Sequence, residues 1–145
     1  MNAKFLILTA LFLLSASPGI PADMLNCTAK DWTVAAKAAE AADAPLLVLY
    51  TAEDCNYCER LKREVLYPLF GRDQAQPPAV VREVDVNTGG KMTDFDGELI
   101  RSRLFKKRYQ VFATPTLLML DSSGRLLARP IVGYNSKTEY LSLLK

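Results

Sequence analysis

The feature that most constrains this chain is Cys55-Asn56-Tyr57-Cys58. An apolar run, Leu46-Leu47-Val48-Leu49-Tyr50, leads through Thr51 into it, and a stretch with helical spacing follows. Side chains three apart on a helix are neighbours on one face. Their sulfurs therefore reach disulfide distance without breaking the helix. A helix start also leaves backbone N–H groups unpaired and carries partial positive charge. Both favour a thiolate on the first cysteine, Cys55. The carboxylates of Glu53 and Asp54 oppose that effect from the chain just before it. A strand that delivers such a pair onto a helix start is a redox arrangement.

The rest of the composition narrows the chemistry. The chain has 145 residues, half of them hydrophobic, which suits one domain with a real core. Its 18 basic and 16 acidic side chains nearly balance, which argues against nucleic acid as a partner. Histidine is absent, which excludes Cys–His nucleophiles, Ser–His–Asp triads and His-bearing zinc sites. Three cysteines leave one over, Cys27. A purely structural Cys55–Cys58 bridge would close a tiny loop and gain little entropy. Copper(I) could use two thiolates with the soft donors Met24, Met92 and Met119, although no Met-x-Cys-x-x-Cys motif is present. No metal and no cofactor is expected.

Residues 1–22 read as a secretory signal, leaving 23–145 as the domain. Lys4 supplies a positive n-region, Phe5 to Leu14 an apolar core, and Ser15 to Ala22 a small, turn-rich cleavage region. Cleavage after Ala22 would release a protein with no stable membrane insertion. Export implies an oxidising compartment, where a disulfide persists.

The remaining elements follow in order. Thr28 to Ala44 is Ala-rich with Trp32, Ala35, Ala36 and Ala39 at helical spacing, and Thr28 is the expected N-cap. Cys27 should then lie at the same pole as Cys55, because the helix must run back to feed the first strand. Pro45 stops that helix. Leu46 to Tyr50 has no polar break, which predicts a central strand covered on both faces. The helix after Cys55 should present Cys58, Leu61, Val65 and Leu69 inward and leave Arg60, Lys62, Arg63 and Glu64 wet, with Pro68 ending or kinking it. Ala79 to Val86 reads as a strand and Asn87 to Asp94 as a flexible loop. Asp96 is the expected cap of a helix whose apolar face is Leu99, Ile100, Leu104, Phe105 and Tyr109, with basic residues on its solvated side. Thr116 to Leu120 and Leu126 to Val132 form a hairpin around Asp121-Ser122-Ser123-Gly124, with Pro130 marking an edge or bulge. Ser136-Lys137-Thr138-Glu139 is a capping box for a final helix.

This order resembles the thioredoxin superfamily through three features. They are the strand ending at Cys55-Asn56-Tyr57-Cys58, the Thr114-Pro115-Thr116 run before a strand, and Val132-Gly133-Tyr134 before the last helix. The resemblance implies an α/β thioredoxin fold: a central mixed four-stranded sheet flanked by helices, with an N-terminal helix. It implies that Cys55 attacks, Cys58 resolves, Pro115 is a cis-proline, and Thr114, Asn56 and Tyr57 help bind substrate. Leu49 departs from the family, which carries a buried acid there, so Cys58 needs another proton route, such as water or Glu53. The Asn56-Tyr57 dipeptide is closest to exported isomerases and thioredoxin-related periplasmic proteins. The expected activity is thus a periplasmic thiol–disulfide oxidoreductase, a reductase or isomerase of the sulfur-oxidation type. Its partners would be protein or small-molecule disulfides and a membrane electron donor. A copper(I) chaperone or thiol-bearing binding module in oxidase or cytochrome assembly is the competing reading.

Overall fold

The computed structural model describes residues 30–70 and 78–143. Residues 1–22, expected as a signal, lie outside them, as do Cys27 and Thr28. Helix α1 (Trp32–Ala42) opens the described chain. Its N-cap is Asp31, whose Oδ1 accepts from the Thr33 and Val34 amides at 2.9 and 3.4 Å. The expected cap at Thr28 is therefore corrected: an aspartate reaches the orphan amides itself and starts the helix later. Asp43, in the left-handed region at φ 47°, ends it.

A four-stranded sheet forms the middle layer, with Val80–Asp85 (β2), Leu46–Thr51 (β1), Thr116–Leu120 (β5) and Ile131–Val132 (β6) side by side in that order. Strand β1 (Leu46–Thr51) is central, and all six of its residues are buried. It pairs in parallel with β2 (Val80–Asp85), putting Leu49 beside Glu83 and Thr51 beside Asp85. It pairs antiparallel with β5 (Thr116–Leu120), putting Tyr50 beside Thr116. The edge strand β6 (Ile131–Val132) is shorter than Leu126 to Val132 would give. Leu126 makes an isolated bridge to Leu120, and Pro130, with no N–H to donate, interrupts the return.

Side chains alternate across β1 and sort the core into two layers. Leu46, Val48 and Tyr50 pack with α1, Phe105 and Tyr109. Leu47 and Leu49 pack with Leu61, Val65, Leu66, Tyr134 and Tyr140. The expected mixed sheet flanked by helices is what forms.

Two segments differ from expectation. Lys91–Thr93 (β3) and Leu99–Arg101 (β4) make a small antiparallel hairpin where a loop and a helix start were expected. Asp96-Gly97 is its turn: Asp96 accepts from the Glu98 amide at 2.9 Å, and Gly97 takes φ 87°. Helix α4 is then only Ser102–Arg108. Phe105 is buried, while Leu99 and Leu104 are exposed rather than part of an inward face. The hairpin holds α1, since the Thr93 amide donates to the Lys30 carbonyl at 2.9 Å. Met92 is buried within it, and its sulfur accepts from Trp32 Nε1 at 3.2 Å. Helix α5 (Lys137–Leu143) starts at the capping box, where the Glu139 amide donates to Ser136 Oγ at 3.3 Å. Among the described residues no helix is long and apolar enough to cross a membrane.

Candidate active site

Strand β1 ends at Thr51, and a tight turn carries the chain to the next helix. Asp54 adopts φ 55° in that turn, a left-handed conformation that a short polar side chain tolerates better than most. Helix α2 (Asn56–Leu61) follows with Cys55 as its N-cap. Cys55 Sγ accepts from the Cys58 amide at 3.2 Å, so its sulfur sits where orphan helix donors point. The two cysteines form a disulfide, with Cα atoms 5.2 Å apart. Cys55 is half-buried, whereas Cys58 is 1% exposed. Asn56 and Tyr57 between them are exposed, Tyr57 at 57%. One cysteine of the pair is therefore partly open to solvent and its partner is buried in the core.

The helix then widens. A π-helical turn, Lys62–Leu66, separates α2 from α3 (Tyr67–Phe70). Pro68 lies within α3 rather than ending the helix. Its ring would crowd the carbonyl four residues back, and the wider turn just before it relieves that conflict. The same widening places both Val65 and Leu66 in the core.

The expected wet face is only partly wet. The Lys62 side chain is 12% exposed, and its ammonium pairs with Glu83 at 3.1 Å and Glu59 at 2.7 Å. Burial alone would lower its pKa, but the hydrogen bonds to Glu59 and Glu83 outweigh that and raise it. Thr51 Oγ1 also donates to Glu83, at 2.9 Å. On the other flank, Tyr134 donates to Glu64 at 2.5 Å, and Arg60 lies 5.5 Å above the Tyr134 ring. Burial, followed by the Glu64 carboxylate, pushes the Tyr134 phenol up to about 12. The hydrogen bond from Tyr134, together with Arg60, holds Glu64 below the usual carboxylate range. These contacts fasten the active-site helix to β2 through Glu83 and to the corner before α5 through Tyr134. Local spacing marks the Lys62–Glu59 and Arg60–Glu64 pairs but not Glu83 or Tyr134, which come from a distant strand and corner.

The Thr114–Pro115 peptide is cis, as expected. The pairing of Tyr50 with Thr116 puts this loop at the sheet end where β1 delivers Cys55. Thr116 Oγ1 donates to the Ala113 carbonyl at 2.7 Å, and the Gly133 amide donates to the Pro115 carbonyl at 2.8 Å. Pro115 is buried and Thr114 half-buried. All six residues expected at the site thus lie at one pole, Cys55 to Cys58 at the start of α2 and Thr114 and Pro115 on the loop before β5. Leu49 is buried and Glu53 is exposed.

A mixed sheet between helical layers, with a C-x-x-C pair at a strand–helix junction and a cis-proline beside it, defines a thioredoxin-fold protein. The chain belongs to the thioredoxin-like domain family, which matches residues 32–145. The fold and the paired cysteines are those of a thiol–disulfide oxidoreductase. No curated protein matches the chain. Among solved structures it is similar to a thioredoxin-fold protein from Helicobacter pylori, with 22% identity, 70% of this chain and 67% of that one covered, and TM-score 0.55. It is also similar to Trxlp from Edwardsiella tarda, with 27% identity, 77% and 92% coverage, and TM-score 0.54. The thioredoxin Deadhead of Drosophila melanogaster aligns at 21% identity, 81% and 95% coverage, and TM-score 0.53.

Proposed function

We propose that this protein is a periplasmic thiol–disulfide oxidoreductase that works as a reductase or isomerase on protein or small-molecule disulfides. In the reduced protein the Cys55 thiolate attacks a substrate sulfur and expels the other as a thiolate. Cys58 then attacks the Cys55 sulfur of the mixed disulfide, and the substrate leaves with two electrons. The oxidised pair is returned to the dithiol by a membrane-bound electron donor. Thr114, Pro115, Asn56 and Tyr57 form the rim against which substrate backbone docks.

The observation that carries this reading is the asymmetry of the pair: Cys55 is half-buried at a helix start and Cys58 is 1% exposed. An attacking thiol needs access, and a resolving thiol needs shelter until the mixed disulfide forms. The signal-like pattern of residues 1–22, a lysine followed by an apolar run and small residues, supports the compartment.

Catalysis of insulin-disulfide reduction with dithiothreitol as donor tests the activity, and turnover no faster than dithiothreitol alone would refute it. In periplasm, Cys58→Ser should accumulate mixed disulfides on Cys55, visible on diagonal gels. Trapping by Cys55→Ser instead would reverse the two roles. The reduction potential of the pair distinguishes direction: a value near the thioredoxin end of the range marks a reductase and one near the strong-oxidant end an oxidase.

A further inference from the structure

The layer between the sheet and the active-site helix is largely apolar. Leu47, Leu49, Leu61, Val65 and Leu117 fill it. Among them a carboxylate, an ammonium and a hydroxyl are tucked together. Glu83 is 21% exposed at its side chain, Lys62 12%, and the Thr51 residue 5%. Taking two charges out of water costs desolvation that a packed apolar cluster would not. The position of this cluster links it to the site. Lys62 is one helical turn beyond Cys58, and its amide donates to the Cys58 carbonyl. Thr51 is the last residue of the strand that delivers Cys55. Cys58 must lose a proton before it can attack, yet it is sealed from solvent.

We infer that Glu83, oriented by Lys62, accepts the Cys58 proton through the Thr51 hydroxyl during the resolving step. This rests on the oxidoreductase reading above. The Thr51 hydroxyl already donates to Glu83 and keeps acceptor capacity for a thiol. As the thiol proton passes to Thr51, the Thr51 proton passes to Glu83. The Cys58 thiolate then attacks Cys55, the Cys55–substrate S–S bond breaks, and the Cys55–Cys58 bond forms. The substrate sulfur leaves as a thiolate carrying the electron pair and is protonated by water. Glu83 finally releases its proton.

Other ionisable groups lie around the pair. Asp85, next on the same face of β2, accepts from the Asn87 amide at 2.6 Å. Glu59 is largely exposed, as are Glu53 and Asp54 in the loop. Glu64 and Tyr134 are engaged with each other on the far flank, together with Arg60 and Arg63. Glu83 is the carboxylate bonded both to the strand that leads to the site and to the helix that carries Cys58.

The test uses the reduced full chain carrying Cys27→Ser, so that two thiols report. Ellman's reagent releases one thionitrobenzoate when Cys55 attacks and a second when Cys58 resolves, followed by stopped-flow absorbance across pH. In Glu83→Gln the first phase should be unchanged. The second should slow about tenfold or more near pH 7, and the deficit should close above about pH 9, where the thiol ionises without a base. An unchanged second phase, or one slowed equally at every pH, overturns the role of Glu83. If Glu83→Gln does not fold, Thr51→Val cuts the relay and keeps both charges. It should show the same pH-dependent slowing in smaller degree, and a flat pH response there overturns the proposal. A wild-type trace with no second phase would remove the oxidoreductase reading itself, and this role with it.

Discussion

The two faces of the sheet are built to different rules. On one, α1 is capped at both ends and packs small alanines and Trp32 against the strands. Trp32 stacks on Phe105 with ring centroids 4.7 Å apart, and Tyr109 meets Phe105 edge-on at 5.1 Å. On the other face, the helix starts on a cysteine, follows a left-handed Asp54, widens into a π turn and buries Lys62 against Glu83. The first face keeps a regular, capped helix over an aromatic core, and its departures are a left-handed Asp43 at the helix end and a buried Tyr50 hydroxyl. The second departs at several places, at and just beyond the disulfide. Departures from local consistency concentrate at functional sites. The difference teaches that one face supplies stability and the other holds the chemistry.

Three substitutions sharpen that division. The largest effect on folding should come from the aromatic face. Phe105→Ala removes the centre of the stack and should cost about 3–5 kcal/mol in denaturant unfolding. The reactivity of the reduced cysteines should stay as it was, and a matching loss of Cys55 reactivity would break the comparison.

A smaller effect is expected at Asp94, which pairs with Arg108 and accepts from the Phe95 amide at 2.9 Å. The Arg108 hydrogen bonds, opposed by burial, hold its carboxyl below the usual range. A depressed folded value means that the stability is present above the unfolded value near pH 4 and is lost as pH falls through the folded one. Arg108 is partly in water, so Asp94→Asn should cost about 1–2 kcal/mol at pH 7. Denaturation curves at descending pH should bring the two proteins together, whereas a constant difference down to the lowest pH would refute the pairing. The smallest effect belongs to Asp31→Ala, which removes the α1 cap and should cost about 1 kcal/mol in the same assay.

Much of the fold is legible in the sequence for a physical reason. Leu46 to Tyr50 has no polar break, so burial on both faces follows from composition alone. The C-x-x-C and the Thr114-Pro115 run are local signals, and the structure brings them together through the pairing of β1 with β5. What was not legible depended on distant partners or on competing local signals. Lys62 looks solvated by spacing and is drawn inward by Glu83, 21 residues on. Asp96 reads as a helix cap until Gly97 makes it a hairpin turn. Pro68 signals a break, and the chain instead absorbs it by widening the helix.

The central claim is that Cys55 and Cys58 divide the work of one redox reaction. Timed iodoacetamide labelling of the reduced protein, with the sites read by peptide mass, tests it most directly. Cys55 should be labelled well before Cys58, while Cys58 stays protected until the fold is opened by denaturant. Equal labelling rates at the two sulfurs, or faster labelling at Cys58, would contradict the account.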